Sequence, residues 1–196
     1  MKKYILSFVM CATFMLSGCA SKTQLVDMEN DTTDIASALE YRDFDKAAKS
    51  MVTNMIMSGN LDKPSGGRYV LIISRIMNDT MQRIDVDQLS KKIRVELINS
   101  GKVMVSNVEE DARVMQSRQL RNSKEFNQAG VAQKGTLIAP ELSLSGKISQ
   151  REFRVGRQKR IEYTFSLSIT MLQTGITLWE GEETIIKLAD KNAVSW

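Results

Sequence analysis

The chain has 196 residues, of which 27 are basic and 23 acidic, so its formal net charge is only +4. Such a balance argues against a nucleic-acid-binding protein, which would carry a strong excess of lysine and arginine. Histidine is absent, and this excludes serine–histidine–aspartate and cysteine–histidine nucleophiles as well as histidine-ligated zinc. The length is sufficient for one domain with a sizeable hydrophobic core.

Residues 1–18 have the layout of an export signal. Two lysines form a charged start, residues 4–16 are apolar, and small residues lead to a cysteine. The apolar run is too short to span a bilayer by itself. The segment Leu16-Ser17-Gly18-Cys19 resembles the lipobox of bacterial lipoproteins, which implies cleavage before Cys19 and acylation of that residue. The alternative is an ordinary signal peptide followed by a chance cysteine.

Residues 19–42 are predicted to form a lipidated, flexible tether. The segment is polar and has few large apolar groups with which to order itself. Ala20 stands where an aspartate would signal inner-membrane retention in such lipoproteins, so the resemblance implies an outer-membrane anchor that faces the periplasm. Cys11 leaves with the signal, so only Cys19 remains and the fold must rest on packing rather than on an internal disulfide.

A globular domain is predicted over residues 43–196, and it opens with a helix at Asp43. Gly59 and the glycine-rich residues 64–67 end this helix. Met57 and two other methionines near the helix end could form an adaptable binding face, but the spacing of the other two favours core filling. The apolar residues recur at intervals of three and four, which places them on one face; they are Phe44, Ala47, Ala48, Met51, Val52, Met55 and Ile56.

The middle of the chain is predicted to alternate between strands and helices. A near-continuous apolar run predicts a strand over 68–76, buried on both faces, followed by a turn over 77–80. Asp85 begins a second helix that Gly101 ends, and residues 102–108 form a short strand. The buried stripe of the second helix is Val86, Leu89, Ile93 and Leu97.

A third helix is predicted after Glu109, Glu110 and Asp111, where acidic residues favour a helix N-terminus. Residues 121–135 are polar and poorly periodic, which indicates a loop or a short helix around 128–133. The stripe of the third helix is Ala112, Met115, Gln119 and Leu120.

The final third of the domain changes to a period of two. Residues 160–171 alternate strictly between apolar and polar side chains, which predicts a long strand with one wet face. Alternation over 142–149 and the segment 176–188 predict its two partners, with hairpin turns around 154–159 and 173–175. We therefore expect an α+β fold with a single mixed or antiparallel sheet, a C-terminal three-stranded meander, and about three to four helices packed against it.

Two clusters of charged residues are candidate sites. A basic hairpin tip could bind an acidic partner, polymer or headgroup, or its charges could simply be solvated and discourage edge pairing. Glu180, Glu182 and Glu183 could supply a carboxylate pair for glycoside hydrolysis, although exposed strand acids are the favoured interpretation. The residues of the basic tip are Arg151, Arg154, Arg157, Lys159 and Arg160.

The C-terminal third resembles the LpoB-type outer-membrane lipoproteins, which activate penicillin-binding proteins. The resemblance lies in residues 137–148, in Leu172-Gln173-Thr174-Gly175 and in Trp179-Glu180-Gly181. It implies a protein that is not an enzyme and that docks on a bifunctional class A penicillin-binding protein. It also implies no cofactor, no metal and no small-molecule substrate. The alternative is a secretion or structural lipoprotein of the CsgG type, whose hairpins are similar.

Overall fold

The computed structural model describes residues 38–107 and 111–190, which contain three α-helices and five strands. Two short 3-10 turns, Leu120–Asn122 and Gln128–Gly130, precede the third strand. The predicted α+β class is therefore confirmed. In chain order the elements are α1 (Tyr41–Met57), β1 (Tyr69–Asp79), α2 (Val86–Ser100), β2 (Val103–Ser106), α3 (Ala112–Gln119), β3 (Leu142–Val155), β4 (Gln158–Met171) and β5 (Thr177–Asp190).

All five strands belong to one sheet, in the order β2-β1-β3-β4-β5. Strand β1 runs parallel to both β2 and β3, whereas β3, β4 and β5 form an antiparallel meander. The single mixed sheet and the C-terminal meander are thus confirmed. Each meander strand has 14 residues, so the meander is roughly 45 Å long at about 3.3 Å per residue.

The hydrophobic core lies between one face of this sheet and helices α1 and α2. Met51 and Met55 of α1 are buried, and the predicted stripe of α2 contributes Leu89, Ile93 and Leu97. The ring of Phe44 in α1 meets Phe165 of β4 edge to face, with 6.0 Å between centroids. Alternate residues of β4 complete the core, as the period of two predicts; they are Ile161, Tyr163, Phe165, Leu167 and Ile169.

Side-chain caps fix the ends of the two core helices. Helix α1 begins at Tyr41, two residues before the predicted start, because the Glu40 N–H donates to Asp43 Oδ2 at 2.8 Å. Asp85 caps α2 as predicted and accepts from the Asp87 N–H at 3.1 Å. Gly101 ends α2 with a φ of 67°, in the left-handed region that glycine adopts without strain.

Two sequence predictions for the middle of the chain are wrong. Residues 77–79 do not turn: β1 continues to Asp79, because the ladder with β3 resumes after an irregularity between Ile73 and Ile76. No residue of α3 is buried, so its predicted stripe does not form. An eight-residue helix with few large apolar groups buries little surface, and α1 and α2 already cover the apolar face of the sheet.

Other predictions need smaller adjustments or stand untested. Strand β2 is Val103–Ser106, shorter than the predicted 102–108, and the loop near 128–133 contains only a 3-10 turn. The predicted signal, Cys19, most of the tether, and the acids Glu109 and Glu110 lie outside the described residues. No helix of the described part is long and apolar enough to cross a bilayer.

Gly146 on β3 is a point of close approach between the middle strands. A Cβ atom added there would lie 2.5 Å from Leu167 Cδ2 and 2.7 Å from the Ser166 carbonyl oxygen. We expect Gly146→Ala to lower the free energy of unfolding by about 1–3 kcal/mol through overpacking, as measured by urea denaturation. Gly130→Ala is the matched control, because nothing lies within 4 Å of its added Cβ; equal effects of both changes would contradict the prediction.

Candidate docking site

The sheet face opposite α1 and α2 carries hydroxyl groups over most of its length. Ser74 and Ser143 lie 2.7 Å apart, and Ser145 and Ser168 lie 3.1 Å apart. A hollow of about 600 Å³ lies over these strands and includes the side chain of Lys147. Each hydroxyl pair uses one donor and one acceptor and leaves the other O–H group and further lone pairs available, so this part of the face is polar.

The same face changes character towards the β3–β4 hairpin. The register aligns Phe153, Arg160 and Leu188 across three strands, and the next row contains Glu162 and Ile186. Arg160 and Glu162 form an ion pair at 2.9 Å. Apolar side chains therefore surround an ion pair on an exposed surface. We call this surface the tip patch and define it as Arg151, Phe153, Val155, Arg160, Glu162, Ile186 and Leu188.

The structure divides the five predicted basic residues between the two faces of the hairpin. Successive strand residues point to opposite faces, so Arg151 and Arg160 join the tip patch, while Arg154 and Lys159 lie on the helix side. Lys159 pairs with Glu152 at 3.1 Å, and Arg157 lies in the turn between the strands.

Three of these arginines form no ion pair with a carboxylate of the described residues. No carboxylate within 38–107 or 111–190 lies within 4.0 Å of Arg151, Arg154 or Arg157. The hairpin therefore carries positive charge that no described carboxylate neutralises. The sequence predicted a single basic cluster, but it did not show that these residues lie on two faces or that apolar side chains lie beside them.

The three candidate acids do not face one another across a cleft. Glu180 and Glu182 are exposed, and Glu182 accepts from Ser166 Oγ at 3.0 Å. Glu183 lies on the helix side and accepts from Ser50 Oγ of α1 at 2.8 Å. This arrangement agrees with the interpretation as strand acids. Within the described ranges, no three histidine, cysteine, aspartate or glutamate side chains form a group that could hold a metal.

The residues that carry the resemblance lie near the opposite end of the meander. The Glu141 N–H donates to the Val70 carbonyl at 2.7 Å, and the Leu172 N–H donates to the Glu141 carbonyl at 2.9 Å. Lys63 Nζ donates to Glu141 Oε2 at 2.6 Å and lies 5.3 Å from the ring centroid of Tyr69. The Lys63 ammonium and the Val70 N–H lower the pKa of Glu141. These contacts tie the loop before β1 to the start of β3 and to the β4–β5 turn.

The Trp179-Glu180-Gly181 segment has a packing explanation. A Cβ atom on Gly181 would lie 2.4 Å from Trp179 Cζ2. Because glycine has no Cβ, the indole can lie across the strand and pack against the core as a partly buried residue. The segment thus shapes the hairpin, whereas the tip patch lies at the other end of the strands.

Comparison with known proteins gives a family match and several similar structures. The family model of the peptidoglycan-synthase activator LpoB matches residues 43–185. The LpoB C-terminal domain from Escherichia coli is 18% identical, with coverage of 73% of this chain and 98% of that chain and a TM-score of 0.46. The corresponding domain from Salmonella enterica is 16% identical, with coverages of 73% and 98% and a TM-score of 0.43.

A third similar structure is the lipoprotein GNA1162 from Neisseria meningitidis. It is 10% identical, with coverage of 65% of this chain and 87% of that chain and a TM-score of 0.38. No curated protein matches the chain significantly. The family match begins within α1 and ends within β5, so it includes every strand of the sheet except the last residues of β5.

Proposed function

The chain belongs to the family of the peptidoglycan-synthase activator LpoB, and we propose that it is an outer-membrane lipoprotein that binds and activates a bifunctional class A penicillin-binding protein. The observation that carries this proposal is the family match over 43–185. The lipobox-like segment that ends at Cys19 supports the anchor, and the hairpin residues quoted above lie within the range that the family model matches.

The proposed organisation is a signal over 1–18, a tether over 19–42 and a globular domain over 43–196. Because α1 already begins at Tyr41, the last tether residues belong to the first helix. The tether would hold the domain in the periplasm within roughly 75 Å of the outer membrane if fully extended at ~3.3 Å per residue.

The proposed role is regulatory rather than enzymatic. An activator changes the population of active synthase only by binding the competent state more tightly than the resting state. A tenfold increase in the ratio of competent to resting enzyme requires about 1.4 kcal/mol of difference in binding free energy. A modest docking surface can supply a difference of that size, so the proposal needs no catalytic group in this chain.

A purified system tests the proposal. The full-length lipoprotein in detergent should bind a class A synthase from the same bacterium and raise its rate of glycan polymerisation from the lipid-linked disaccharide substrate. A synthase inactivated at its polymerase site is the control: it should still bind the lipoprotein, but it should form no glycan. Absence of binding to every class A synthase of that bacterium would overturn the proposal, and a ring-shaped oligomer would favour the CsgG-type alternative.

A further inference from the structure

We propose that the tip patch is the docking surface for the synthase, and that the synthase presents a surface that combines apolar and acidic side chains. This inference rests on the proposed function and adds the location and chemistry of the contact. The surface lies at the hairpin end of the meander, on the face that α1 and α2 leave uncovered.

The tip patch exposes four large apolar side chains. Phe153, Val155, Ile186 and Leu188 have between 46% and 53% of their surface exposed. Phe153 and Leu188 flank Arg160 in one row, and Ile186 follows Glu162 in the next. Neighbouring strands are about 4.8 Å apart, so the apolar side chains of β3 and β5 lie one strand away from the Arg160–Glu162 ion pair, on either side of it. Several exposed apolar groups on one face of a sheet, with charged groups among them, are typical of a surface that binds another protein.

The charge around this surface selects the partner. Residues 151–162 contain five basic and two acidic side chains, so basic groups exceed acidic ones by three in this hairpin. Arg151, Arg154 and Arg157 have no carboxylate within 4.0 Å among the described residues. Two copies of the chain would bring these like charges together, which is unfavourable. An acidic partner would be attracted to these arginines, and the attraction would raise its association rate.

The shape of the hairpin favours a protein over a membrane as the partner. A membrane-inserting hairpin would place apolar residues at its turn, but here the turn is Gly156-Arg157. The apolar side chains lie on the flat face of the strands, on either side of the Arg160–Glu162 ion pair. Insertion of this face into a lipid bilayer would also take the Arg160–Glu162 ion pair out of water, which is unfavourable.

The first test removes the apolar groups of the outer strand. The Ile186→Ser/Leu188→Ser variant of the full-length lipoprotein should bind the class A synthase at least about tenfold more weakly, because a few large apolar side chains carry much of the binding energy of an interface. Its urea-unfolding midpoint should be nearly unchanged, since both side chains are about half exposed. The matched control is Leu172→Ser/Ile176→Ser at the other end of the meander, where these residues are 50% and 60% exposed.

The second test addresses the charge. Arg157→Glu in the turn should slow association with the synthase about tenfold at low salt and reduce the dependence of the association rate on ionic strength. Lys124→Glu, at an exposed position in the loop after α3, makes the same charge change away from the hairpin and should have little effect.

The outcomes separate this inference from the proposed function. If the wild-type lipoprotein binds and the tip-patch variants bind equally well, the docking surface is wrong and the activator role stands. If the wild-type lipoprotein binds no class A synthase, both the docking surface and the activator role are wrong. Binding of the lipoprotein without its acyl chains to vesicles containing anionic phospholipid, when the Ile186→Ser/Leu188→Ser variant loses that binding, would identify the patch as a membrane contact and overturn the inference.

Discussion

A Cys19→Ser variant is expected to remain unacylated and to leave the outer-membrane fraction completely. Serine cannot form the thioether that the lipobox resemblance implies for Cys19. Each buried methylene of an acyl chain contributes about 0.8 kcal/mol to membrane binding, and a single chain binds only marginally. Loss of the acyl chains therefore removes the anchor. Cell fractionation measures the release, and mass spectrometry of the purified protein measures the acyl groups.

The other cysteine provides the matched control for this change. Cys11 lies within the predicted apolar segment of the signal, so Cys11→Ser should leave acylation and fractionation unchanged. If Cys19→Ser protein stays in the outer-membrane fraction with its acyl groups intact, the anchor assignment is wrong. If it stays there without acyl groups, another part of the chain binds the membrane.

The largest effect on stability is expected for Phe165→Ala. Phe165 is 1% exposed, lies in the middle of β4 and packs edge to face against Phe44. Truncation of a buried phenylalanine removes its burial energy and leaves a cavity, which together cost about 3–5 kcal/mol. Since a domain of this size has roughly 5–15 kcal/mol of total stability, a large fraction is lost. Urea denaturation followed by circular dichroism measures the change.

The same substitution on the opposite face of the sheet is its control. Phe153 lies on β3 in the tip patch and is 46% exposed, so Phe153→Ala should change the free energy of unfolding by only about 0.5 kcal/mol. It should nevertheless weaken binding to the synthase. Similar destabilisation by both changes would show that the core does not lie on the side that contains Phe165.

Long, regular patterns in the sequence predicted both their elements and the buried faces of those elements correctly, whereas short or irregular ones did not. The alternation over residues 160–171 predicted β4 and its buried face correctly, because strict alternation over 12 residues is compatible with a half-buried strand and not with a helix. The caps of α2 at Asp85 and Gly101 were equally specific. Helix α3 formed where predicted, but nothing in its sequence shows that two longer helices already occupy the face it would need.

The candidate surface was predictable only in part, for a related reason. The sequence placed five basic residues near one turn but did not show which of them share a face with which apolar side chains. Phe153 and Leu188 become neighbours only through the pairing of β3 with β4 and of β4 with β5. Arg160 becomes the centre of the patch for the same reason.

By itself, the sequence determined the fold class, the meander, the core faces of α1, α2 and β4, and the resemblance that the family match confirmed. Those features depend on local periodicity, caps and short motifs, which are properties of contiguous residues. Tertiary structure alone decided the continuation of β1, the exposure of α3 and the composition of the tip patch. Each of these depends on which strand lies beside which and in what register, and strand register is a property of residues far apart in the chain.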